Sequence, residues 1–63
     1  MKYSELKRLL TKNGCYLVEE GGNHETWYSP ITQDKVPVGR HDSQEVKTGT
    51  LNRILKQAGI KKR

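Results

Sequence analysis

The sequence predicts an α+β domain of order α-β-β-β-α, a three-stranded antiparallel sheet with two helices on one face. Three observations predict it. Apolar residues recur at helical spacing only near the two ends of the chain. Three short β-prone runs lie between those ends, and only a few turn-forming residues separate neighbouring runs. Connections that short imply antiparallel strands, because a parallel pair needs a crossover of a dozen residues or more. Both apolar stripes must be buried. One sheet face can bury both, leaving the opposite face open, as antiparallel sheets tolerate.

The first stripe is Tyr3, Leu6, Leu9 and Leu10. Ser4 is the expected N-cap, with Glu5 suited to the positive end of the helix dipole. Gly14 is the natural stop, and Cys15 then falls where it can contact Leu10, so the thiol reads as a small buried hydrophobe rather than a nucleophile. Tyr16-Leu17-Val18 opens the first strand, and Glu19-Glu20 leads into Gly21-Gly22-Asn23, whose residues suit a tight turn with positive φ. Glu25 to Ser29 is the second strand, ended by Ser29-Pro30. A turn over 31–34 leads to Lys35-Val36-Pro37-Val38, where Pro37 demands an edge position or a solvent-facing one. Residues 39–47 are polar and irregular. The second helix opens at Thr48-Gly49-Thr50, carries Leu51, Ile54, Leu55 and Ala58, and stops at Gly59 with Ile60 placed to touch Leu55. Lys61-Lys62-Arg63 is expected to fray.

These elements make one domain over residues 1–63, small enough to have only a modest core. One cysteine forbids an internal disulfide and gives no paired-ligand metal spacing, so a reducing, cytoplasmic setting is expected. No run approaches the ~18 apolar residues of a membrane helix, and Met1-Lys2-Tyr3-Ser4-Glu5 lacks the apolar run of a secretion signal. Twelve Lys and Arg stand against seven Asp and Glu, a net charge of +5. Such a field favours an anionic partner, nucleic acid above all.

The chemistry centres on His24, which leaves the glycine turn. Alternation along an extended strand sends Trp27 and Glu25 to one face and His24, Thr26 and Tyr28 to the other. Trp27 belongs in the core, so His24 stands on the open face with Tyr28. Cys15, His24, His41 and Asp42 lack the local spacing of a zinc site, and neither hydrolase signatures nor a phosphate-binding glycine loop is present. No metal or other cofactor is expected. A histidine beside a flexible turn in a basic protein does suit RNA cleavage, in which a base takes the 2′-hydroxyl proton and an acid protonates the leaving oxygen. The amides of Gly21, Gly22 and Asn23 are candidates for a phosphate concavity, and Lys35, Arg40 or Lys56 for charge stabilisation. Tyr28 can stack on an unpaired base. His41, in a loop beside Asp42, is a weaker candidate. The plain alternatives are a solvated surface histidine, or an RNA-binding module without catalysis.

Ser4-Glu5-Leu6 with Leu9-Leu10, Asn13-Gly14, Gly22-Asn23-His24, Val36-Pro37-Val38 with Arg40-His41, Gly49-Thr50-Leu51, Ile54-Leu55 and Ala58-Gly59-Ile60 together resemble the HicA-type toxins. That family comprises mRNA interferases of bacterial toxin–antitoxin pairs. The resemblance implies a fold like that of double-stranded-RNA-binding domains and mRNA cleavage that depends on the motif histidine, here His24. It further implies a HicB-type antitoxin covering the active face, and operator DNA bound only through that antitoxin. Two residues depart from the family pattern. Asn23 replaces the motif serine, and Glu25 follows the histidine, with a side chain expected to face away from it. The second acid–base group is left open among His41, Tyr28 and a lysine.

Overall fold

The computed structural model describes residues 1–60 and places the elements in the expected order: α1 (Tyr3–Lys12), β1 (Tyr16–Glu20), β2 (His24–Ser29), β3 (Asp34–Gly39) and α2 (Thr48–Ala58). The basic run 61–63, expected to fray, lies outside the described residues. Both helices end as their glycines dictate. Gly14 (φ 90°) and Gly59 (φ 76°) take the left-handed conformation. Cys15 N donates to Leu10 O and Ile60 N to Leu55 O, both at 2.9 Å, while Gly14 N reaches Thr11 O and Gly59 N reaches Lys56 O. These are two Schellman motifs, and each buries its apolar partner, Cys15 or Ile60, in the core.

The start of α1 differs from expectation. The helix begins at Tyr3, so Ser4 lies inside it and caps nothing. Its first amides are met from elsewhere. Tyr3 N donates to Gln44 O and Ser4 N to Asp42 O, each at 3.0 Å, and Glu5 Oε1 accepts from Lys2 N at 2.8 Å. A distant loop thus does the work of a cap, which local sequence could not disclose. The same loop buries Val46.

The sheet is antiparallel in the order β1-β2-β3, with Trp27 facing Val36 and Glu25 facing Val38. Trp27, Val36 and Val38 join Leu6 and Leu10 of α1 and Leu51, Ile54, Leu55 and Ala58 of α2 in a single core cluster. One cluster shared by both helices and these strand positions puts both helices on the Trp27 face. Ser29 is fully buried there, and its hydroxyl donates to Ala58 O at 2.6 Å, fastening the end of α2 to β2. Pro37 sits on the edge strand β3 and is exposed, as its missing amide requires.

β1 is the other edge, and every residue in it is exposed. Between Leu17 and Glu19 the register slips, with Leu17 opposite Trp27 but Glu19 opposite Thr26. This is a β-bulge with Val18 as the extra residue, and it moves Glu19 to the opposite face from the one strict alternation assigns.

The turn between β1 and β2 is tight, but not for the reason its glycines suggest. None of residues 21–23 has positive φ. Gly21 N donates to His24 O at 2.8 Å, and a Cβ on Gly21 would meet that oxygen at 2.9 Å. Close approach, not a left-handed backbone, is what demands glycine at 21. Around Gly22 the space is open.

Candidate active site

The uncovered sheet face is built in three rows by the strand pairing. His24 lies opposite Gly39; Glu19, Thr26 and Pro37 form the next row; Tyr16, Tyr28 and Lys35 form the third. His24 and Tyr28 are four residues apart on β2, roughly 13 Å at about 3.3 Å per residue. Thr26 lies between them as a low floor. His24 is exposed, Tyr28 half-buried and Lys35 exposed. The Tyr16 and Tyr28 rings lie 5.5 Å apart at 43°, a tilted aromatic pair that leaves Tyr16 52% exposed. At the His24 end, Tyr3 packs against Gly39: a Cβ there would lie 2.8 Å from Tyr3 Cζ.

Arg40 follows β3 directly and turns back toward the glycine turn. Its Nη1 donates to Gly21 O at 3.1 Å and to Gly22 O at 3.0 Å. The structure therefore joins three of the predicted residues, Arg40, Gly22 and His24, around one turn, with Asn23 exposed between the last two. The amide concavity expected at 21–23 is not formed, because Gly21 N is engaged by His24 O. A nest also needs successive right- and left-handed residues, which this turn lacks. The cation beside the turn is the alternative anion partner.

His41 is exposed in the loop after β3, where its carbonyl accepts from Gln44 N at 3.0 Å. Among the described residues it makes no bond to His24. Lys56 lies on α2, against the opposite sheet face, so it does not join the site. Among the described residues no three His, Cys, Asp or Glu side chains come together as a metal site would require.

Glu25 faces away from His24, as alternation predicts, and it is occupied. Its Oε1 accepts from Trp27 Nε1 at 3.0 Å and meets Lys7 Nζ at 3.2 Å, while the same ammonium reaches Asp42 Oδ1 at 2.6 Å. Burial alone disfavours the charged Lys7. Hydrogen bonds that the ammonium donates to Asp42 and Glu25, with their Coulombic attraction, outweigh it and hold the ammonium above the ordinary lysine value. The carboxylate that does share the open face is Glu19, carried there by the bulge. Sequence reading missed Glu19 and Tyr16. Alternation with a known cross-strand register would have found Tyr16; nothing local marks the bulge.

A model of the family described as the HicA toxin of bacterial toxin-antitoxin matches residues 3–60 of this 63-residue chain. The chain belongs to the HicA toxin family. It therefore has a toxin's role, with an antitoxin as the expected kind of partner. The match spans every element described above, from α1 to the Ile60 contact that closes α2. No curated protein and no solved structure matches the chain. No helix among the described residues is long and apolar enough to cross a membrane.

Proposed function

We propose that this HicA-family toxin is a ribonuclease that cleaves mRNA, with His24 as a general acid–base group. The observation that carries the reading is the exposed imidazole at the first position of β2, on the face the helices leave open, directly after the glycine turn whose carbonyls the Arg40 guanidinium holds. In the reaction a base takes the proton from a ribose 2′-hydroxyl, whose oxygen attacks the adjacent phosphorus. The bond to the 5′-oxygen breaks, and an acid returns a proton to that leaving oxygen. The products are a 2′,3′-cyclic phosphate and a 5′-hydroxyl. His24 in its neutral form suits the first role and in its charged form the second, and one placed group of this kind contributes ~10²–10⁴-fold.

Arg40 offers charge to the phosphate, and Lys35 offers it further along the strand. Tyr28, half-buried, and the exposed Tyr16 beside it present an aromatic pair on which an unpaired base can stack, a contact worth about 1–3 kcal/mol. Gly22 and Asn23 border the same approach. Glu25 does not oppose the phosphate, since Lys7 and Trp27 hold its carboxylate on the other face. A HicB-like antitoxin would neutralise the toxin by covering the His24 face, and operator DNA would be reached only through that partner. The setting proposed for all of this is the cytoplasm.

The test is cleavage of a defined mRNA by purified protein, wild type against His24→Ala, with chelator present in both. Cutting by wild type alone supports the assignment and its independence of a divalent ion. Cutting by both proteins would remove His24 from the chemistry. Binding by both without cutting would favour an RNA-binding module that lacks catalysis.

A further inference from the structure

We propose that Arg40 is the positioning residue for His24, holding the glycine turn from which β2 starts. The two glycines before Asn23 have the largest backbone freedom any residues can have, and the whole turn is exposed. Left to itself, such a segment would let the first residue of β2 wander, although acid–base chemistry loses ~10²-fold for a 1 Å misplacement. The structure supplies two ties. One is the 2.8 Å bond from Gly21 N to His24 O, which closes the turn on the histidine's own carbonyl. The other is Arg40, whose single nitrogen Nη1 bridges Gly21 O and Gly22 O at 3.1 and 3.0 Å.

Arg40 is well placed for this. It follows Gly39, the residue opposite His24 in the sheet, so its backbone is fixed by the same strand pair that fixes His24. The guanidinium therefore links both sides of the histidine, the turn before it and the strand beside it. Of the five N–H groups on an arginine, the two on Nη1 serve the carbonyls. Among the described residues the other three take no partner, so the charge stays available to a phosphate while the turn is held. A lysine at 40 would keep the charge, but its nitrogen lies one bond nearer the backbone and on a flexible stem rather than in the rigid guanidinium plane, so it is not held to both carbonyls.

Arg40→Lys separates the two roles. The first readout needs no RNA: amide hydrogen exchange of Gly21 and the ring resonances of His24, followed by NMR. Positioning predicts that Gly21 exchanges at least about tenfold faster, the loss expected for a charge-assisted bond. The His24 ring signals should shift, and the Leu55 amide in the core should be unchanged. The second readout rests on the ribonuclease reading above: kcat should fall ~10–10²-fold with KM within about threefold. Unchanged Gly21 exchange would overturn the proposal. So would an unchanged kcat with a raised KM, which marks a phosphate ligand and nothing more. If wild type cuts no RNA, the exchange result still decides whether Arg40 holds the turn, and the failure falls on the ribonuclease reading alone.

Discussion

Glu19 and Glu25 differ in fate although both belong to the same hairpin. Glu25 is fastened to Lys7 and Trp27 beneath the sheet, whereas Glu19 lies in the row between His24 and the tyrosine pair. If RNA runs across that face, Glu19→Gln removes a repulsive charge and should tighten binding of a single-stranded RNA about two- to fivefold at low salt, less as salt screens it. Glu25→Gln should leave that affinity unchanged and lower stability instead. A titration of labelled RNA beside a urea melt checks both. Gly21→Ala should destabilise by about 1–3 kcal/mol, since its Cβ would press on His24 O at 2.9 Å, and Gly22→Ala should be tolerated. Thermal unfolding of the pair distinguishes them. Alternation alone placed His24, Glu25, Trp27 and Tyr28 on their faces, because the side-chain period of a strand is fixed at two. It could not place Glu19, because one bulged residue reverses the faces beyond it and has no local signature in Leu17-Val18.

The elements themselves were legible where their ends are set by neighbours in sequence. Gly14 followed by Cys15 and Gly59 followed by Ile60 each encode a Schellman stop within a few residues. The start of α1 was not legible, because its capping carbonyls come from Asp42 and Gln44, some forty residues onward. Nor was Ser29, which reads as a strand terminator beside Pro30 yet is fully buried and donates to Ala58 O at 2.6 Å. Ser29→Ala strands that carbonyl at the end of α2 and should cost about 1–3 kcal/mol in a urea melt. Gly59→Ala should cost at least as much. It forces a Cβ into a left-handed backbone and to within 2.7 Å of Ile31 Cγ2.

For the molecule as a whole, Lys7 is the tie that sequence could not reveal, since it joins α1, β2 and the loop after β3 through partners 18 and 35 positions away. Lys7 and Glu25 side chains are only 15% exposed, so Lys7→Met should cost about 2 kcal/mol near neutral pH, between the surface and buried limits for ion pairs. The folded pKa of Lys7 is raised. Its contribution is therefore complete below the unfolded value of about 10.4 and is lost as pH climbs through the higher folded value. The stability gap between wild type and Lys7→Met should hold steady at neutral pH and close only in that alkaline range, as urea melts at stepped pH would show. Strand alternation keeps Glu25 off the open face, and the same tie pairs its charge there.

The most direct measurement of the proposed chemistry is the identity of the ends left on RNA cut by the wild-type protein. Acid–base cleavage through the 2′-hydroxyl predicts a cyclic phosphate on the upstream fragment and a 5′-hydroxyl on the downstream one, with no cutting of fully 2′-O-methylated RNA. Fragments ending in a 3′-hydroxyl and a 5′-phosphate would contradict it, because water and not the ribose would then have attacked the phosphorus.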